Sequence, residues 1–205
     1  MNLEELDAII FDFGGVLINI RYEDTIQAFK DLGIEDFEER FSQAQQTTLF
    51  SDYETGKVSS EHFVNQLLRI LPHGITPNDV VHAWNSMIKD VPEEVIPLLE
   101  NLSKNKRIYL LSNTNDLHID LALRNWHKVT DRSIHDIFDH VYLSQEVNLR
   151  KPQPEIFKLV CQEQGLVPER TLFVDDSIQH IESALSAGLK THHLTKQSDI
   201  YHLFS

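Results

Sequence analysis

The stretch Ala8-Ile9-Ile10-Phe11-Asp12-Phe13-Gly14-Gly15-Val16 decides the fold. Four consecutive apolar residues are too few for a helix, and they stop at a carboxylate followed closely by a glycine pair. A run bounded this way reads as a strand buried on both faces, the habit of parallel sheets. Ile108 to Leu111, Val141 to Leu143 and Leu172 to Val174 repeat the form, and Lys190 to Leu194 is a weaker fifth. Helical spacing fills the intervals between the later runs, at lengths suited to right-handed crossovers. Pro92 to Asn105 carries Val95, Leu98, Leu99 and Leu102. Pro154 to Gly165 carries Ile156, Phe157, Leu159 and Val160, with Gly165 as the stop, and Ile178 to Ala187 ends at Gly188. The pattern predicts an α/β fold with a Rossmann-like parallel sheet.

The interval between the first two strands is far longer than one crossover. Residues 18–90 hold several helix patterns: Thr25 to Leu32, Phe37 to Phe50, Glu61 to Leu71 behind a Ser59 N-cap, and Asn78 to Lys89. This predicts a core domain of residues 1–17 and 91–205 with an α-helical cap, residues 18–90, spliced in after the first strand.

The chain has 205 residues, 41% of them hydrophobic, which suits one such domain with an insertion. Its one cysteine, Cys161, cannot form an internal disulfide, and a reducing, cytoplasmic setting is expected. No segment reads as a signal peptide or a membrane span. A net charge of -14 repels nucleic acid and anionic lipid, so neither is expected as a partner. It also repels phosphorylated metabolites, so a site for one must concentrate positive charge locally.

Ligands of open α/β sheets bind beyond the C-terminal ends of the strands. The first strand delivers Asp12, Phe13 and Gly14 there, and the second delivers Ser112, Asn113 and Thr114. The third leads to Arg150, Lys151 and Pro152, and the fourth to Asp175, Asp176 and Ser177. Carboxylates, a hydroxyl and an ammonium therefore converge on one edge. Asp12 and Asp176 can share a hard divalent cation such as Mg²⁺, which would let an anionic nucleophile approach a phosphate. Lys151 would balance the remaining charge, and Ser112 with nearby backbone N–H groups would bind the phosphoryl oxygens. The eleven histidines show no paired ligand spacing, so a zinc site is not expected. Trp84 and Trp126 read as packing residues, while His118, after the Ser112 loop, is a candidate for the pocket wall.

These segments resemble the motifs of the haloacid dehalogenase superfamily. Ile10 to Leu17 resembles its first motif, Leu110 to Thr114 its second, Arg150 to Phe157 its third and Phe173 to Ser177 its fourth. The run Tyr53 to Ser59 resembles the small helical caps of sugar-phosphate phosphatases related to the epoxide-hydrolase phosphatase domain. The resemblance implies Mg²⁺-dependent hydrolysis of a small phosphorylated metabolite through an aspartyl phosphate. Asp12 would be the nucleophile, with the metal on Asp12, the Gly14 carbonyl and Asp176, supported by Asp175. Ser112, the Asn113 N–H and Lys151 would hold the phosphoryl group. Tyr53 and Glu54 are candidate substrate contacts.

Two positions depart from the family pattern. Gly14 stands where most family phosphatases have an aspartate acting as general acid and base, and His180 replaces an asparagine. Losing a positioned acid typically forfeits about 10²–10⁴ in rate. Gly14 therefore keeps two alternatives open: a dehalogenase acting on a 2-haloacid, and a regulatory or scaffold protein that kept the site and lost the acid.

Overall fold

The computed structural model describes residues 3–35, 37 and 48–204. The five apolar runs form one parallel sheet of order β3-β2-β1-β4-β5. The strands are β1, Ala8–Phe11; β2, Arg107–Ser112; β3, His140–Leu143; β4, Thr171–Asp175; and β5, Lys190–His193. β1 lies between β2 and β4, with Ile10 opposite Tyr109 on one side and Phe173 on the other. The chain steps outward from β1 to β3, then crosses to β4 on the far side. That reversal opens a crevice at the C-terminal end of β1.

Alternating side chains supply two separate cores. Ile9 and Phe11 join Leu110, Val174 and the helices Val95–Leu102 and Asp116–Trp126 on one face. Ala8 and Ile10 join Leu111, Phe173 and the helices Pro154–Gln164 and Ile178–Ser186 on the other. Because both faces are covered, the strands read as unbroken apolar runs. Gly165, at φ 58, caps the Pro154–Gln164 helix as its position after the last turn predicts.

The helices Tyr22–Asp31, Thr48–Glu54, Ser60–Leu68 and Pro77–Asn85 lie between β1 and β2. They enclose a core of their own in which the Phe63 ring meets Tyr53 at 4.3 Å, Trp84 at 4.8 Å and Phe50 at 5.5 Å. Ser59 accepts a hydrogen bond from the His62 N–H, the expected N-cap, and Thr76 forms a full capping box with Asp79. The two connections to the sheet run antiparallel. Asn19 N–H donates to the Asp90 carbonyl at 2.9 Å, and Lys89 N–H donates to the Asn19 carbonyl at 2.9 Å.

The expected helix from Phe37 to Phe50 lies largely outside the described residues; its end falls in the Thr48–Glu54 helix, which runs four residues further. Among the described residues, no helix is long and apolar enough to cross a membrane.

Candidate active site

β1 carries Asp12 to the crevice by pairing with β4, the Asp12 N–H donating to the Val174 carbonyl at 2.9 Å. The chain then turns tightly, with Gly15 at φ 72, and a Cβ on Gly15 would run into the Asp176 carboxylate. Glycine is needed here both for the backbone angle and for the approach of the two loops.

Lys151 is wholly buried. Its Nζ lies 2.7 Å from Asp12 Oδ1 and 2.7 Å from Asp175 Oδ2. Its ammonium lies over the Phe173 ring, 5.4 Å from the centroid. The Asn113 side chain clasps the Lys151 peptide from both sides, its Oδ1 accepting from the Lys151 N–H at 2.9 Å and its Nδ2 donating to the Lys151 carbonyl at 2.8 Å. Strand β2 thus fixes the loop that presents the ammonium.

Asp175 is fully buried, and its oxygens also accept from the Ser177 N–H at 2.8 Å and His180 Nδ1 at 3.0 Å. The place of His180 follows from this: it braces the carboxylate that braces Lys151. Burial raises the Asp175 carboxyl, but Lys151 and His180 outweigh it and hold the group down at about 2. Burial pushes the Asp12 carboxyl the other way, above its usual range, against the pull of Lys151 and with added repulsion from Asp175 and Asp176.

One oxygen from each of Asp12, Asp175 and Asp176 falls within 4.8 Å of the others. Three carboxyl groups around one ammonium carry, once ionised, more negative charge than Lys151 can match. All-oxygen donors with that excess suit a hard divalent cation.

Ser112 is buried at the end of β2. It is not the N-cap of the next helix; Asn115 takes that role, its Oδ1 accepting from the His118 N–H at 3.1 Å. The Ser112 hydroxyl is therefore not committed to the helix.

A cavity of about 350 Å³ opens above Asp12, Ser112, Lys151 and Asp176, a size suited to a small metabolite. Its lining is apolar at Ile18, Ile20, Trp84, Met87 and Ile88 and polar at Tyr22, Glu54 and Arg150.

Of the candidate substrate contacts, Glu54 lines the cavity and Tyr53 does not. The Tyr53 ring is buried in the cap, its hydroxyl 2.8 Å from Ser60 Oγ and accepting from the Leu117 N–H at 3.3 Å. It is a packing residue that ties cap to core. His118 lines the cavity with its ring stacked on Trp84. Both its nitrogens are taken, Nε2 by the Trp84 carbonyl and Nδ1 by Asn115 Nδ2, each at 3.1 Å. Burial lowers its pKa to about 4, so the ring is neutral, with Nε2–H donating. Trp84 likewise both packs and lines the pocket.

Tyr22, Arg150 and Ile20 join the lining beyond the residues that the strand ends supply. Arg150 carried a signal, a second cation beside Lys151. Tyr22 and Ile20 carried none, since only folding the insert back over β1 brings them to the pocket.

Residues 6–188 match the family described as haloacid dehalogenase-like hydrolase. The chain is 33% identical over 183 residues to the D-ribitol-5-phosphate phosphatase of Bacteroides thetaiotaomicron, covering 89% of each protein. It is 24% identical over 205 residues to the glyceraldehyde 3-phosphate phosphatase of Methanocaldococcus jannaschii, covering 93% of this chain and 86% of that one. Among solved structures, the HAD family enzyme BT-2542 of Bacteroides thetaiotaomicron, in complex with magnesium and inorganic phosphate, is similar with a TM-score of 0.89 and 34% identity over 98% of this chain and 100% of that one. With the family match spanning most of the sequence and the fold shared from end to end, this chain belongs to the haloacid dehalogenase-like hydrolases.

Proposed function

We propose that this protein is a Mg²⁺-dependent phosphatase for a small polyol or sugar phosphate, working through a phosphoryl group carried on Asp12. The carrying observation is the Lys151 ammonium held 2.7 Å from both Asp12 and Asp175, beside a third carboxylate. Asp12, Asp176 and the Gly14 carbonyl would hold the cation, with Asp175 behind them anchoring Lys151. When bound, the metal supplies charge neutralisation that lets a carboxylate and a phosphate meet.

An Asp12 oxygen attacks phosphorus as the bond to the alcohol oxygen breaks, giving an acyl phosphate and the leaving alcohol. Water then attacks the same phosphorus, releasing inorganic phosphate and restoring the carboxylate. Through both steps Lys151 stays fixed against the reacting charge, and the Ser112 hydroxyl with the Asn113 N–H binds phosphoryl oxygens. The leaving oxygen has no aspartate at position 14 to supply its proton. A Cβ on Gly14 would meet the tip of the Ile20 side chain, which would have to turn aside to admit one.

A series of aryl and alkyl phosphates, assayed with Mg²⁺ and with chelator, tests this reading. Phosphate release should require the metal and fall steeply as the leaving-group pKa rises. Gly14→Asp combined with Ile20→Ala should narrow the aryl–alkyl gap, toward the about 10²–10⁴ that a positioned acid contributes. Metal-independent turnover contradicts the proposal, and phosphate-analogue binding without turnover of any ester favours a scaffold instead.

A further inference from the structure

Every cation at the cavity is already matched. Lys151 is shared between Asp12 and Asp175, and Arg150 Nη1 lies 3.0 Å from Glu54 Oε2. His118 is neutral with both ring nitrogens committed, and His180 Nδ1 faces Asp175. Among the described lining residues no positive charge is left to receive a second anion, while Glu54 adds a carboxylate to the lining.

Glu54 is also held in place. It ends the Thr48–Glu54 helix of the cap, whereas Arg150 belongs to the core loop, so their ion pair spans the two. Directly after it, the Thr55 carbonyl accepts from Asn148 Nδ2 at 2.8 Å. Gly56, at φ 69, then packs so closely on the Gln145 carbonyl that a side chain has no room. The carboxylate therefore cannot swing clear of an incoming ligand without lifting this part of the cap.

Beyond the ion pair, Glu54 Oε2 and Arg150 Nε are buried with no hydrogen-bond partner among the described residues. The pair thus leaves an acceptor on Glu54 and a donor on Arg150 without hydrogen bonds. A hydroxyl group offers both complements at once, whereas a carboxylate or phosphate offers acceptors only and meets the Glu54 charge.

We infer that the Glu54–Arg150 pair makes this pocket selective for phosphate monoesters of uncharged, hydroxyl-bearing alcohols and excludes those with a second anionic group. The inference rests on the phosphatase reading above and assigns Glu54 and Arg150 the role of specificity determinants.

The test compares three esters with Mg²⁺: a pentitol phosphate, the aldonic acid phosphate of equal length, and p-nitrophenyl phosphate as the reference for phosphatase activity. The pentitol ester should exceed the aldonate in kcat/KM by about 100-fold, the scale of a like-charge penalty at a desolvated site. Glu54→Gln frees the guanidinium, so turnover of the aldonate should rise at least about tenfold, a gain that damage to the fold cannot imitate. Arg150→Gln should move the ratio the other way. Hydrolysis of the aryl ester with equal turnover of pentitol and aldonate overturns the inference and leaves the phosphatase reading standing. So does a folded Glu54→Gln variant with an unchanged ratio. Absence of turnover on all three esters overturns the phosphatase reading and the inference with it.

Discussion

Lys151→Met should lose folded stability and turnover together. Methionine keeps an apolar stem of similar length but leaves Asp12 and Asp175 without the ammonium that each meets at 2.7 Å. Both carboxylates are buried, so neither can fall back on water. Removing one partner of a buried ion pair typically costs about 3–5 kcal/mol. A chemical denaturation series in chelator should show that loss near neutral pH. The loss should shrink as the pH falls and the carboxyls take up protons. Turnover should drop by about 10²–10³ or more, the scale for removing one group that stabilises charge in a transition state. A variant as stable as the parent at neutral pH would mean that the buried charges are compensated elsewhere.

Asp12→Asn should have the opposite effect on stability while abolishing activity. The amide keeps the shape but cannot attack phosphorus, and losses on removing a nucleophile reach about 10⁴–10⁶. Burial raises the Asp12 carboxyl from 3.8 to about 7, so in the metal-free fold its charged form is disfavoured. A group raised in this way contributes stability below its unfolded pKa and loses it as the pH climbs through the folded value. In chelator, the melting temperature of Asp12→Asn relative to the parent should therefore rise between about pH 4 and pH 7. A difference that stays flat or reverses over that window would show that Lys151 already compensates the charge fully.

The sheet was legible because burial on both faces turns parallel strands into short apolar runs ending in polar residues. The edge strand β5, Lys190–His193, read weakly because its residues are half-buried or exposed, whereas the other edge strand, β3, buries Val141 to Leu143 and read clearly. Helix ends were legible where a side chain or a glycine fixes them, as at Ser59 and Gly165. The helix Asp116–Trp126 gave little warning, its cap being Asn115 in the loop three residues past the end of β2.

At the site, the sequence placed Asp12, Ser112, Asn113, Lys151, Asp175 and Asp176 on one edge, because each directly follows a strand or its loop. What it did not contain was the second half of each interaction. His180 turns back onto Asp175 from the next helix, and the Asn113 side chain closes on the Lys151 peptide 38 residues away. The substrate wall was least legible of all. Tyr53 and Glu54 are neighbours in sequence, yet the helix turns one into the aromatic core of the cap and the other toward the pocket. Only the packing of the insert over β1 decides which is which.

On the proposed mechanism Asp12 itself carries the phosphoryl group. Rapid acid quench of the enzyme turning over an aryl phosphate with Mg²⁺, followed by mass mapping of peptides, tests it most directly. A phosphoryl group on the peptide bearing Asp12, formed at the rate of alcohol release and absent in Asp12→Asn, is the expected result. Steady turnover with that peptide unmodified, and retained by Asp12→Asn, would rule out a phosphoryl group carried on Asp12.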